Sequence, residues 1–503
     1  MQLARLRAVT NVLGSWLGLG VTVLMGFFLT PFILHHVGDT AFGIWLLLTT
    51  FTGYYGLLDL GMRNAIIRYV ARHTETGDHE ALNRVASTTF FAYGVIAVAL
   101  MAISVGVTLW FDRLFQVGPE WRDTGRQLLL LVGFGTALGM PLGMFGGVLE
   151  GLQRFSLVGV VQAVSTLLRA LLIVVLLNRG HQILTLGLVT VGMNLVSSLL
   201  MAGIVFKLSP NLQIQWRYAG RATLATLGGF GLVTFWISIA QLLRFQFDNM
   251  VIGAFISVQA ITYFSVGSRL VSYGTDVVQA LAQVFTPMAS AVDATGEDGR
   301  MRRIFLMGNR YSSFVALPLA ALFLLCGGSV IRVWLGAQYE QYFPILAILT
   351  VPTTLYLMQA ASPKVLYGMA KHKTLAVALL VEGIANLGLS SFLAPHYGIE
   401  GVAWGTAIPL ALNSIFFLPI HLCRLLHVTA REFLFESFFY PVLAVIPFAA
   451  TLWWMERWIH PLTYPALIAV LLPGGLVYGA ALLLYYRFVE QRRAGPGGKN
   501  TLN

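Results

Sequence analysis

The sequence predicts an all-α polytopic membrane protein with about 14 transmembrane helices, arranged as two pseudo-symmetric six-helix lobes plus two C-terminal helices. Three observations predict it. Of 503 residues, 57% are hydrophobic and only 11% charged, whereas soluble domains carry roughly 25% charged residues. Apolar runs of about 20 residues, the length a helix needs to cross a bilayer core, recur from end to end. Two inner loops then repeat. TGDHEALNRV at 76–85 matches TGEDGRMRRI at 295–304, with the glycines 219 positions apart. LEGLQRF at 149–155 matches LYGMAKH at 366–372, 217 positions apart. Offsets that agree within two residues imply a duplicated unit. Six helices per copy give both copies one orientation, so the symmetry axis is expected along the membrane normal.

In chain order, Arg5 and Arg7 precede an apolar run too long for a signal peptide and lacking a small-x-small cleavage site. It reads as a retained first helix. The first lobe, 1–214, holds helices near 10–34, 42–71, 86–110, 127–149, 155–177 and 182–206. The second, 215–430, holds helices near 222–247, 259–289, 304–326, 343–368, 373–394 and 399–422. Helices near 436–455 and 464–487 make up a third segment, 431–487, and 488–503 reads as a disordered cytoplasmic tail. On this topology, 21 of the 32 Lys and Arg residues fall on cytoplasmic segments and 6 on outer ones. That bias puts both termini inside. The other five, Arg63, Arg169, Arg244, Arg269 and Lys364, lie within or at the ends of apolar runs.

The net charge of +11 therefore reads as basic inner loops and not as a nucleic-acid surface. Cys326 and Cys423 give neither a disulfide framework nor metal spacing. No GxxxxGK[ST], HExxH or GxSxG occurs, and no GxGxxG opens a helix after a strand. The chain reads as a transporter and not an enzyme, with no cofactor; a proton or sodium ion is the candidate coupling ion.

Charges in oily helices have a partner or a task. Helix 2 places Tyr55, Asp59 and Arg63 at successive four-residue steps. Helix 8 carries Arg269, Ser272, Tyr273, Asp276, Gln279 and Gln283 as a polar stripe. Helix 7 offers Gln241, Arg244 and Asp248, helix 5 Arg169, helix 1 Asn11, and helix 11 Glu382 with Asn386 and Ser390. The plain reading is pairwise neutralisation: Asp59 with Arg63, Arg244 with Asp248, Asp276 with Arg269. The sharper one is a shared aqueous cavity. There Arg63, Arg269, Arg244, Arg169, Asn11, Gln241 and Tyr273 meet an anionic head group, since Arg presents a donor fork suited to phosphate. Asp59, Asp276, Asp248 and Glu382 then pair with cations or bind the coupling ion. Helix 4 carries Gly135, Gly139, Gly143, Gly147 and Gly151 at every fourth position, a pattern that permits close helix packing.

The stretch HHVGDTAFGIW and, beyond it, LLDLGMRNAIIRYVA resemble the polysaccharide flippases of the multidrug/oligosaccharidyl-lipid/polysaccharide (MOP) exporter superfamily. So do QFDNMVIGAFISVQAITYFSVGSRL, EGLQRF, VWLGAQY and HYGIEGVAWGTAI. The resemblance covers 10–487. It implies flipping of undecaprenyl-pyrophosphate-linked oligosaccharide units across the bacterial inner membrane by alternating access, for O-antigen, capsule or exopolysaccharide. Cavity cations would hold the head group, with Arg63 and Arg269 the nearest candidates by position. The implied partners are the lipid-linked oligosaccharide, membrane lipids, a polysaccharide polymerase and glycosyltransferases. The alternatives are a cation-coupled multidrug exporter of the same superfamily or a lipid II flippase. The chain departs from the latter branch by having Gly56-Leu-Leu-Asp59 where that branch has an arginine pair.

Overall fold

A computed structural model describes residues 2–59, 61–228, 247–371 and 373–490. Helices dominate, and no strand occurs among the described residues. Ten described segments are long and apolar enough to cross a membrane. The protein is an all-α, multi-pass membrane protein, as its composition predicts. One of the ten, Lys373–Leu425, contains two expected helices, joined at Gly398, whose φ of 59° and ψ of −142° break the helical path.

The chain divides into two compact units, Met1–Thr262 and Tyr263–Asn503. This division falls beyond the repeat boundary expected at 214. The first unit contains α1 (Gln2–Val37), α2 (Asp39–Tyr55), α3 (Met62–Thr76), α4 (His79–Leu109) and α5 (Arg122–Gly151). It continues with α6 (Phe155–Asn178), α7 (Ile183–Leu208), α8 (Phe247–Phe255) and the start of α9 (Val258–Ala282). Residues 247–262 belong to it for a local reason. Asn249 donates to Thr50 at 2.9 Å and Thr262 to the Asp39 carbonyl at 2.6 Å. At Gly43 any Cβ would collide with the Val258 carbonyl, so only glycine admits this approach. The second unit has α10 (Phe285–Asp293), α11 (Asp298–Leu335), α12 (Phe343–Leu357) and α13 (Ala361–Gly368). After these come α14 (Lys373–Leu412), α15 (Leu418–Leu425), α16 (Tyr440–Ile459) and α17 (Tyr464–Tyr485).

The duplication read from the loops recurs in the packing of each unit. In the first, α3 lies on α5, where a Cβ at Gly151 would stand 2.7 Å from Val70 Cβ and 2.9 Å from the Ile67 carbonyl. In the second, α10 lies on α13, where a Cβ at Gly368 would stand 2.6 Å from Ala289 Cβ and 2.9 Å from the Thr286 carbonyl. The glycines are 217 positions apart and their partners 219, the offsets of the loop motifs.

A second feature also repeats. The connector after α7 is strapped along α4. The Asn83 carboxamide accepts from the Gln213 N–H at 2.8 Å, Ser87 Oγ from the Gln215 N–H at 3.1 Å, and Thr88 Oγ1 from the Gly220 N–H at 3.2 Å. Leu212 is buried beneath it. At the matching place in the second unit, Arg302 donates through Nε to Glu432 at 2.9 Å, and Ser437 donates to the Leu306 carbonyl at 3.3 Å. Arg310 pairs with Glu436 and donates to Tyr485 at 3.1 Å. These contacts, with Ser329 on Glu456 and Tyr478 on the Phe314 carbonyl, clamp α16 and α17 to α11.

Candidate functional site

The expected helix 42–71 is not continuous. Gly56–Asp59 form one tight turn, and Gly61 adopts φ 72°, a left-handed conformation suited to glycine, before α3 begins. The break ends α2 at Tyr55 and starts α3 at Met62, so 42–71 is not one helix. Both Asp59 carboxylate oxygens accept the Arg63 backbone N–H at 3.3 Å, and Tyr93 donates its hydroxyl to Asp59. Asp59 thus caps the first turn of α3, where a negative charge also suits the helix dipole.

The Arg63 guanidinium goes elsewhere. Its Nη2 donates to Glu150 Oε1 at 2.7 Å, so the expected Asp59–Arg63 ion pair is replaced by Arg63–Glu150. The reason is the helix break: it leaves Asp59 facing the backbone of α3, while the Arg63 side chain reaches across to the end of α5. Glycines make room there. A Cβ at Gly146 would lie 3.6 Å from both terminal nitrogens of Arg63. Glu150 side-chain exposure is 16% and that of Arg63 is 42%, so the cation is open on one side. Charge spacing does not single out Glu150, because it ends an apolar helix beside a loop. The signal that could have found it is its place inside the repeated LEGLQRF motif.

Arg169 stands near the middle of α6, half-buried, with no hydrogen bond or ion pair among the described residues. Asp248 is buried in α8. Gln241, Arg244 and the side chain of Asn11 lie outside the described residues, and with them the expected Arg244–Asp248 pair.

In the second unit, α9 packs by its small residues. A Cβ at Gly267 would stand 2.5 Å from the Leu346 nitrogen, and one at Gly274 3.2 Å from the Phe323 ring. That orientation leaves Ser272, Asp276 and Gln283 exposed and Arg269 and Tyr273 half-buried. The second unit covers part of the polar stripe: Gln279 donates to the Tyr356 hydroxyl at 3.0 Å, and the Arg269 Nε and Tyr273 hydroxyl atoms are buried. Tyr273 meets Trp334 edge-on at 6.5 Å. No ion pair joins Arg269 to Asp276 among the described residues, which removes the expected neutralisation. Seven residues separate them, two turns of helix and beyond the reach of a direct pair.

Glu382 is placed differently from the others. It is 5% exposed and accepts from the Asn413 side-chain amide. Below it, Ser390 donates to Asn386 at 2.9 Å and to the Val402 carbonyl at 3.3 Å. The three residues form a polar seam between the two halves of α14, and the partner seen for Glu382 is an amide and not a cation.

Comparisons with known proteins come from three sides. A family model described as a polysaccharide biosynthesis protein matches residues 37–344. An uncharacterized membrane protein, EpsK of Bacillus subtilis, is 24% identical, with 94% of each chain covered. A putative O-antigen transporter of Shigella flexneri is 21% identical, covering 81% of this chain and 96% of the relative. Among solved structures, the lipid II flippase MurJ in an inward closed conformation superposes with a TM-score of 0.73. It has 16% identity and covers 96% of this chain and 99% of that one. An inward-facing multidrug resistance MATE family transporter of the MOP superfamily gives 0.65 at 16% identity, over 82% and 95%. These two structures are evidence for the fold.

Proposed function

Because the chain belongs to the polysaccharide biosynthesis protein family, we propose that it is a flippase and not an enzyme. In this reading it moves undecaprenyl-pyrophosphate-linked oligosaccharide units across the bacterial inner membrane by alternating access, with both termini in the cytoplasm. The observation that carries the reading is Arg63: a guanidinium open on one side and bonded to a single carboxylate, that of Glu150. A pyrophosphate offers the oxygens such a fork recognises. The half-buried Arg269 and Tyr273 of α9 are the proposed second station for the head group. Arg169, at mid-depth with no counter-ion among the described residues, would hold it during passage. Gln241, Arg244 and Asn11 complete the proposed lining. Asp59, Asp248 and Glu382 tune these cations or bind the coupling ion, H+ or Na+. The product would pass to a polysaccharide polymerase, and glycosyltransferases would supply the substrate.

One observation favours the cation-coupled exporter as a second reading: Asp276 is exposed and makes no ion pair among the described residues. The two readings separate in a strain lacking its own flippase for a defined glycan. The chain should restore surface glycan, and Arg269→Ala should abolish it while membrane expression stays intact. Normal display in that variant would remove Arg269 from the site. Lowered drug susceptibility without any glycan display would favour the exporter.

A further inference from the structure

Glu150 has no role in the flippase reading so far, yet it is the residue that Arg63 touches. We propose that Glu150 is the resident counter-ion of Arg63, displaced when a pyrophosphate head group enters from the inner leaflet. The proposal rests on the flippase reading.

Four observations carry it. First, the contact is single and open. A guanidinium has five N–H donors, and among the described residues only Nη2 of Arg63 is engaged, at 2.7 Å from Glu150. The glycine at 146 keeps the α5 side of the other terminal nitrogen clear of side chain. Second, among the described residues no other carboxylate forms an ion pair with the Arg63 guanidinium. Asp59 is occupied by the Tyr93 hydroxyl and the Arg63 backbone N–H. Third, a partly exposed pair of this kind is weak, so an anion able to engage two or more donors at once outcompetes it.

The fourth observation separates this pair from the scaffold. The seam beside it is duplicated, Gly151 on Val70 in one unit and Gly368 on Ala289 in the other. At the same offsets, the positions matching Arg63 and Glu150 are Ala282 and Tyr367. The packing recurs without the ion pair, so the fold of the repeat does not require it. Glu150 is accordingly a positioning residue: it holds the guanidinium in place when the site is empty, and its charge sets how strongly an anion must bind to replace it.

The test is equilibrium binding of farnesyl pyrophosphate to the purified full-length chain, with farnesol as the uncharged control. Glu150→Gln should bind the pyrophosphate about two- to fivefold tighter, the factor that a pair of this strength withholds. Arg63→Gln should weaken binding, and adding Glu150→Gln to it should change nothing further. A purely structural role for Glu150 predicts loss and not gain of affinity. Glu150→Asp draws the charge back from Arg63 and should give an intermediate gain, which serves if the amide variant does not fold. Unchanged or weaker binding by both Glu150 variants, with Arg63→Gln still impaired, overturns the counter-ion proposal and leaves the flippase reading standing. No preference for farnesyl pyrophosphate over farnesol in any variant overturns both.

Discussion

Gly151→Ala probes the seam that carries Arg63. The added Cβ would stand 2.7 Å from Val70 Cβ, 2.8 Å from its Cγ1 and 2.9 Å from the Ile67 carbonyl oxygen. Carbon atoms pack best at about 3.5–4.0 Å, so α3 must back away by about 0.7–1.3 Å. A side chain could rotate aside, but a backbone oxygen cannot. Overpacking of this kind costs about 1–3 kcal/mol. The helix preference of Ala over Gly returns up to about 1 kcal/mol, leaving a net loss of about 0–2 kcal/mol. Gly143→Ala is the matched control: it lies in the same helix and the same four-residue series, yet nothing stands within 4 Å of its added Cβ. It should gain up to about 1 kcal/mol. Thermal unfolding in detergent, together with size-exclusion recovery, measures both. If Gly143→Ala loses as much as Gly151→Ala, or Gly151→Ala gains, the close-packing argument is wrong. Gly151→Ala should also weaken pyrophosphate binding, because Arg63 rides on the displaced helix.

The same contacts set other expectations. Gly368→Ala should destabilise to a similar degree as Gly151→Ala, since the seam is repeated; a neutral result would show that the two units do not share it energetically. Arg310→Met leaves the Glu436 carboxylate without its buried partner and should cost about 3–5 kcal/mol, while the double change with Glu436→Gln recovers most of it; a loss under about 1 kcal/mol in thermal unfolding would discount the clamp. Ser87→Ala removes both hydrogen bonds that Ser87 makes to the connector, at about 1 kcal/mol, and should speed tryptic cleavage at Arg217. An unchanged cleavage rate would mean that Ser87 does not hold the strap.

Much of the fold was legible because its signals are long. Apolar runs, the Lys and Arg bias and two loop motifs span hundreds of residues, and the offsets of 217 and 219 reappear in the glycine seams. The breaks were less legible. Periodicity carries a helix straight through Gly56–Gly61, because only the left-handed turn at Gly61 stops it, and one glycine in an apolar run is a weak stop signal. The wrong pairing has the same origin: spacing within one helix joins Asp59 to Arg63, whereas the bond forms to Glu150, 87 residues later. The glycine series of helix 4 shows the same limit. Gly135 meets Val191, Gly147 and Gly151 meet Ile66 and Val70, and Gly143 meets nothing within 4 Å. Spacing identifies a face but not the neighbour upon it.

The central claim, that this chain moves a pyrophosphate-linked glycan lipid from one leaflet to the other, is tested most directly by reconstitution. The purified chain is placed in liposomes with a fluorescent polyprenyl-pyrophosphate oligosaccharide, and a membrane-impermeant quencher is added outside. The account predicts that quenching with the wild-type chain proceeds well beyond the outer-leaflet fraction seen in protein-free liposomes, and that Arg63→Gln stays at that fraction. Wild-type liposomes that quench no further than protein-free ones would contradict it.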